Sequence, residues 1–155
     1  MNKLLKVLGK LGAAQEMHVV YEAGPTGYGL QRALQARGYR QPMGVGAGGL
    51  AILSFLGDQE RARLLPLQDK RLAEHSDGNL TGDRLQTLIT ETRGRGWATV
   101  TGFAEPGVTG VGIPLFNARK QPFAAITVGG FSLRMTEARI AQSVSILRAQ
   151  TAQLW

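Results

Sequence analysis

The sequence predicts an α/β (α+β) domain in which an antiparallel sheet is flanked by helices. Three segments, 99–101, 108–116 and 123–128, are rich in the β-branched and aromatic residues that strands favour. Short turns at 105–107 and 117–121 separate them, which is typical of an antiparallel meander. Segments with the apolar spacing of helices stand before and after this group.

The first forty residues have the pattern of a helix, a strand and a second helix. Apolar residues three and four apart within 2–11 predict a short amphipathic helix, whose lysine face lies either in solvent or against phosphate groups. Residues 17–21 predict a strand that 24–27 interrupt. Residues 28–37 then predict a helix that Gly38 closes.

The middle of the chain combines short helices with irregular segments. Residues 50–56 are almost entirely apolar and follow a glycine-rich stretch. Residues 58–65 predict a second short helix on which Arg61 is exposed. The polar segment 66–80 predicts a loop.

Two further helices stand on either side of the predicted strands. One begins at Thr81 or Gly82, and the glycines of 93–97 supply its left-handed cap. The other covers residues 137 to about 153 and begins behind a Thr136 cap.

Small residues are unusually frequent in the predicted sheet. Gly110, Gly112, Gly129 and Gly130 all stand in or next to strands. Because glycine weakens a strand, we expect either a packed helix or a ligand to approach the backbone there. Pro114 cannot donate to a ladder, so it is expected near a strand end or at a locally unpaired position.

Composition and charge limit the classes of protein to consider. A length of 155 residues with 43% hydrophobic residues fits one soluble domain. Because cysteine is absent, there is no disulfide, thiolate zinc site or cysteine nucleophile, and a cytoplasmic location is expected. The net charge of +7 favours nucleic acid or an acidic surface as a partner. No signal peptide is predicted and no apolar run could cross a bilayer, so no membrane partner is expected.

The titratable residues show no arrangement typical of catalysis. There is no nucleophile–histidine–acid set, and no pair of acids stands at a useful spacing. The two histidines, His18 and His75, stand alone, and His75 is expected in solvent. We therefore expect no enzymatic activity, no catalytic residue, no metal and no cofactor.

The glycine-rich segment 41–50 leaves three interpretations open. A nucleotide-phosphate loop is disfavoured, because neither Gly-Lys-Ser/Thr nor a strand–GxGxxG–helix unit is present. Small residues could let the start of the next helix pack tightly on the sheet. Alternatively, the free N–H groups of its first turn could face a pocket and hold an anionic or carbonyl group.

Four spaced motifs in residues 41–155 resemble the C-terminal effector-binding domain of IclR-type transcriptional regulators. They are residues 42–56 with Gly49 on the family's glycine, the helix end 93–97 with Trp97 in its aromatic position, the segments 105–108 and 112–116, and residues 124–128 with 134–136. The motifs follow one another in the order that the family has.

The resemblance implies a GAF/profilin-like antiparallel sheet that holds a small organic effector and takes part in homo-oligomer formation. In the family, a winged-helix DNA-binding domain precedes this one. That domain and the first strands, which should precede Pro42, have no counterpart in the sequence, so we expect a sheet truncated at its first strands. DNA is then a partner only through a missing or partner winged-helix domain.

The resemblance also identifies a candidate effector pocket between the glycine-bearing helix start and the central strands. Its residues in this chain are Gly48, Gly49, Leu50, Val100, Gly110, Thr127 and Gly129. Polar side chains that family members carry at three of these positions are absent here. This favours a pocket that recognises its ligand by shape and apolar surface, and whose backbone N–H groups bind the polar end of the ligand. It also favours an aromatic acid over a glyoxylate-sized acid as the ligand. The alternative is that truncation has left no functional pocket.

Residues 1–40 resemble a different family. The string 19–39 closely resembles a strand–turn–helix of insertion-sequence transposases with an RNase-H-like Asp-Glu-Asp-Asp nuclease domain, in which the position of Glu22 belongs to the metal-binding carboxylates. Without the accompanying aspartates, Glu22 cannot support two-metal chemistry. The predicted domains are thus a transposase-like fragment at 1–40 and an effector-binding domain at 41–155. The alternative function is a non-catalytic transposase remnant or a weak, nonspecific binder of nucleic acid.

Overall fold

The computed structural model describes residues 22–23, 42–67, 72, 76 and 79–152. The helices predicted at 2–11 and 28–37, the strand predicted at 17–21, and both histidines lie outside the described residues. The described elements are β1 (Glu22–Ala23), α1 (Ala47–Phe55), α2 (Asp58–Leu64), α3 (Gly82–Arg95), β2 (Ala98–Thr101), β3 (Val108–Phe116), β4 (Pro122–Phe131) and α4 (Glu137–Thr151), with 3₁₀ turns at Leu65–Leu67 and Ser132–Arg134. Among these helices, none has the length and apolar character needed to cross a membrane.

The three predicted strands form the centre of an antiparallel sheet of order β1-β4-β3-β2. β3 pairs with β2 between Thr109, opposite Thr101, and Gly112, opposite Ala98. It pairs with β4 along its length. The antiparallel meander is therefore confirmed, although β4 continues past its predicted end to Phe131, because its glycines remain paired with β3.

The two faces of the sheet cover separate cores, because successive residues of a strand point to opposite sides. On one face, α1 and α3 pack over Ala98, Val100 and Ala125. On the other face, Val144 and Leu147 of α4 pack on β3 and β4. The domain therefore has three layers, with the sheet between two sets of helices.

The first helix, α1, is a core helix whose residues 47–54 are all buried. It lies so close to the sheet that a Cβ at Gly112 would overlap the carbonyl oxygen of Ala47 and lie 3.1 Å from the amide nitrogen of Gly48. A Cβ at Gly110 would lie 3.2 Å from that of Ala47. At these two glycines a packed helix therefore approaches the strand backbone. This was one of the two alternatives, a packed helix or a ligand, that the sequence left open.

Side-chain caps start α3 and α4, and the cap at Thr136 was predicted. The hydroxyl of Thr81 accepts a hydrogen bond from the amide of Arg84, and that of Thr136 accepts one from the amide of Arg139, both at 3.3 Å. The left-handed Gly96, with φ of +80°, ends α3.

Replacing Thr136 with alanine should lower the free energy of unfolding by about 1 kcal/mol, because the first turn of α4 loses its acceptor. Urea denaturation followed by circular dichroism measures the change. Thr136→Ser keeps a hydroxyl, and serine caps at least as well as threonine, so this variant should stay within about 0.5 kcal/mol of the wild type. Equal losses in both variants would contradict the capping role.

The second helix, α2, is tied to its neighbours by Arg61, and the prediction that Arg61 is exposed is wrong. Its side chain is only 12% exposed, because the guanidinium donates to the Leu56 carbonyl at 3.0 Å and to Asp58 at 2.6 Å. Arg93 of α3 lies 3.5 Å from the same carboxylate. The hydrogen bond from Arg61 and the charges of both arginines lower the pKa of Asp58. The stability this contributes is present above the unfolded-state pKa and is lost as pH falls through the folded-state value.

The proline in β3 has a paired strand on one side only, so it lies at a locally unpaired position, as expected. Pro114 pairs with Ala125 of β4, whereas the pairing with β2 ends at Gly112. On its β2 side, no described strand lies opposite Pro114. The missing amide therefore costs no ladder hydrogen bond to β2.

Candidate functional site

Three of the predicted site residues form one row across the sheet. Val100 pairs with Gly110, and Gly110 pairs with Gly129. Directly paired residues project to the same face, and Val100 belongs to the core beneath α1. This row therefore faces α1.

The next row connects the start of α1 to β4. Gly112 pairs with the buried Thr127 and lies against Ala47 and Gly48 of α1. Gly48 and Thr127 are thus neighbours of the same glycine. Gly112 was not among the predicted site residues, although its position two residues after Gly110, on the same face of the strand, was a usable signal.

The remaining predicted residues, Gly49 and Leu50, are buried within the first turn of α1. The side chain of Leu50 is fully buried in the core that α1 shares with α3. All seven predicted residues therefore lie on α1 or on the sheet face that α1 covers.

The space over this face is uneven. At Gly112 the backbone of α1 fills the volume that a side chain would take. A Cβ at Gly129 would meet, among the described residues, only the carbonyl oxygen of Thr109 at 3.7 Å, which is an ordinary contact. Among the described residues of this face, Gly129 is therefore a position that has space for a side chain.

The polar groups at the start of α1 are backbone amides. The first helical hydrogen bond runs from Leu50 to the Gly46 carbonyl at 3.0 Å, so the amides of Ala47, Gly48 and Gly49 precede the ladder. Gly46 provides no side-chain cap, and the first turn carries no acidic residue. This end of α1 can attract an anion or a carbonyl oxygen.

The assembled residues offer no group that could act as a general acid or base, because none of the seven is titratable. Within the part of the chain that the structure describes, no cluster of three or more His, Cys, Asp or Glu side chains could hold a metal ion. Glu22 pairs through its backbone with Ala125 at the edge of the sheet. The arrangement is suited to binding.

The motif at the end of α3 joins two layers of the domain. The guanidinium of Arg95 lies 4.4 Å from the ring centre of Trp97, and its Nε donates to the Trp97 carbonyl at 2.8 Å. Burial lowers the pKa of Arg95. Arg148 of α4 donates to the Arg95 carbonyl at 2.6 Å.

A concavity of about 440 Å³, which was not predicted, lies at the C-terminal end of α1. Its lining residues come from the end of α1, the start of α2 and the β3–β4 turn, namely Phe55, Leu56, Gly57, Glu60, Asn117, Lys120, Gln121, Pro122 and Phe123. These residues fall in two segments, 55–60 and 117–123, which are far apart in the chain. No local sequence pattern therefore marks the cleft.

These elements define an α+β domain in which an antiparallel sheet lies between helices. The sequence profile of the family described as "Bacterial transcriptional regulator IclR C-terminal" matches residues 4–154. The chain therefore belongs to the IclR C-terminal family, which comprises the effector-binding domains of IclR-type transcriptional regulators.

This chain is also similar to individual regulators and to solved structures. The HTH-type transcriptional regulator KipR of Bacillus subtilis is 30% identical over 110 residues, which cover 70% of this chain and 43% of KipR. The C-terminal domain of the E. coli regulator KdgR superposes with a TM-score of 0.74 at 13% identity, over 97% of this chain and 93% of that domain. A double mutant of the inducer-binding domain of Acinetobacter PobR, solved with 3-hydroxybenzoic acid, gives a TM-score of 0.61 at 22% identity, over 74% and 66% of the two chains.

The extent of these matches bears on the expected division of the chain. The family profile begins at residue 4, and the likeness to KdgR leaves little of that domain unmatched. Both matches extend into the residues before Pro42, and β1 (Glu22–Ala23), which also precedes Pro42, pairs with β4. A strand of the sheet is therefore present where the first strands were expected to be missing. The boundary at residue 40 stays a prediction, and the alternative of a transposase remnant gains no support from the relatives named above.

Proposed function

We propose that this chain senses a small organic acid for an IclR-type regulator and binds it on the α1 face of the sheet. The observation that carries the proposal is the space near Gly129 beside the uncapped start of α1. In this proposal the amides of Gly48 and Gly49 hold the carboxylate, and Thr127 lies beside them. Leu50, Val100 and Gly110 complete an apolar wall.

An aromatic acid is the ligand class that this wall favours. None of the seven residues carries a charge that could hold a second carboxylate, and Gly129 leaves space beside the backbone for a ring. The 3-hydroxybenzoic acid in the PobR structure supports this choice.

The remaining parts of the proposed function concern assembly and DNA. The chain spans 43% of the length of KipR, the curated relative it matches. We propose that it forms homo-oligomers in the cytoplasm and acts on DNA through a winged-helix domain outside this chain. We propose no catalytic role and no cofactor.

Isothermal titration calorimetry with a panel of acids tests the proposal. Benzoate and 3-hydroxybenzoate should bind, and glyoxylate and pyruvate should bind more weakly. Gly129→Val should raise the Kd for aromatic acids by about tenfold or more, because the valine side chain fills the space that the ligand's ring would occupy. Gly94→Ala, on the exposed surface of α3, is the matched control and should bind as the wild type does. Binding of only the smallest acids, or unchanged binding by Gly129→Val, would overturn the proposal.

A further inference from the structure

The cleft at the far end of α1 has an apolar floor that is already in place. Phe55, Leu56, Pro122 and Phe123 line it, within a volume of about 440 Å³. The ring of Phe55 is held edge-to-face against Phe116, with 5.5 Å between ring centres and an interplanar angle of 87°. A fixed ring costs no side-chain entropy when a ligand packs against it.

One wall of the cleft, the β3–β4 turn, is also preformed. The side-chain oxygen of Asn117 accepts hydrogen bonds from the amides of Arg119 at 2.9 Å and Gln121 at 3.0 Å. Lys120 takes a left-handed conformation, with φ of +59°, and its amide donates to the Asn117 carbonyl at 2.9 Å. These bonds fix the backbone from which the Lys120 side chain reaches the cleft.

The cleft carries one charge of each sign. Lys120 and Glu60 both line it, and among the described residues neither has an ion-pair partner. Asp58 lies on the same short helix as Glu60. Unlike Glu60, it forms ion pairs with Arg61 and Arg93. A ligand that carries both an anion and a cation can therefore satisfy both sides of the cleft.

We propose that this cleft binds a small zwitterion with a bulky apolar side chain, such as an aromatic amino acid. The apolar group packs on Phe55 and Phe123, the carboxylate faces Lys120, and the ammonium faces Glu60. The cleft volume falls within the range of small-molecule pockets. Ligands with only one of the two charges leave one side chain unsatisfied, so they should bind more weakly.

Titration of the full chain with L-phenylalanine, phenylacetate and phenethylamine tests the proposal. We expect L-phenylalanine to bind about three- to tenfold more tightly than either singly charged analogue, which is the gain that one exposed ion pair provides. Amide NMR shifts should move at Gly57 and Gln121 beside the cleft, and Gly129 should stay unchanged. That pattern separates this cleft from the acid site, so failure of one proposal leaves the other standing.

Two variants and one control assign the charges. Lys120→Asn keeps a residue that tolerates the left-handed backbone, and Glu60→Gln keeps the side-chain shape. Each should raise the Kd for L-phenylalanine by about three- to tenfold. Arg119→Gln removes an exposed cation of the same turn that does not line the cleft, so it should leave the Kd unchanged.

Three results would overturn the proposal. One is equal affinity for phenylacetate and L-phenylalanine when both are measured from the amide shifts of Gly57 and Gln121. Another is an equal loss of affinity in Arg119→Gln and Lys120→Asn. The third is that L-phenylalanine at up to about 10 mM produces neither heat in the titration nor NMR shifts. A Kd above that concentration would mean that the cleft does not bind this ligand specifically.

Discussion

Replacing Gly112 with alanine should lower the free energy of unfolding by about 3 kcal/mol, which is the upper end of the usual cost of overpacking. The added Cβ would lie 2.7 Å from the carbonyl carbon of Ala47 and 3.1 Å from the amide nitrogen of Gly48. Both atoms are backbone, so no side-chain rotation can relieve the overlap. The start of α1 must move away from the sheet instead. Urea denaturation followed by circular dichroism measures the loss.

The matched control is Gly129→Ala, in the adjacent row of the same sheet. There the new Cβ meets only the Thr109 carbonyl oxygen among the described residues, at 3.7 Å. This change should stay within about 0.5 kcal/mol of the wild type. Because Gly112→Ala shifts the amides of Gly48 and Gly49, it should also weaken the proposed acid binding. Equal stability of the two variants would show that α1 does not rest on Gly112.

Replacing Leu147 with alanine should also cost about 3 kcal/mol, within the range for large-to-small changes in a core. Leu147 has no exposed surface and anchors α4 to the face of the sheet opposite α1. Its loss removes buried apolar contacts with β3 and β4 and leaves a cavity. The same denaturation experiment measures the effect.

Leu133 supplies the control for the same change of residue type. Its side chain is 96% exposed in the 3₁₀ turn after β4. Leu133→Ala should therefore change the free energy of unfolding by no more than about 0.5 kcal/mol. A comparable loss in Leu133→Ala would contradict the assignment of Leu147 as the anchor of α4.

The elements that the sequence predicts well are those with local signals. The strands of the meander are marked by β-branched runs between short turns, and the helix starts at Thr81 and Thr136 are marked by capping hydroxyls. Element ends were less predictable. The start of α1 at Ala47 lies inside a glycine-rich stretch with poor helix propensity, and burial outweighs that propensity.

Features that depend on distant segments could not be predicted in detail. The partial burial of Arg61 arises from the Leu56 carbonyl and from an Asp58 carboxylate that α3 also approaches. The family resemblance identified a glycine-rich face, but the close approach of α1 to Gly112 depends on how the helix packs on the sheet. The assignment of the seven residues to an effector pocket stays a prediction, which the titrations above test.

The position of Pro114 has a consequence for association between molecules. β2 pairs with β3 only as far as Gly112, so the rest of β3 has no described strand beside it on that side. An extended chain from another molecule that aligned there would find no amide hydrogen at Pro114, which interrupts the repeating bonds that edge-to-edge aggregation needs. The proline thus works against edge-to-edge pairing at this side of β3.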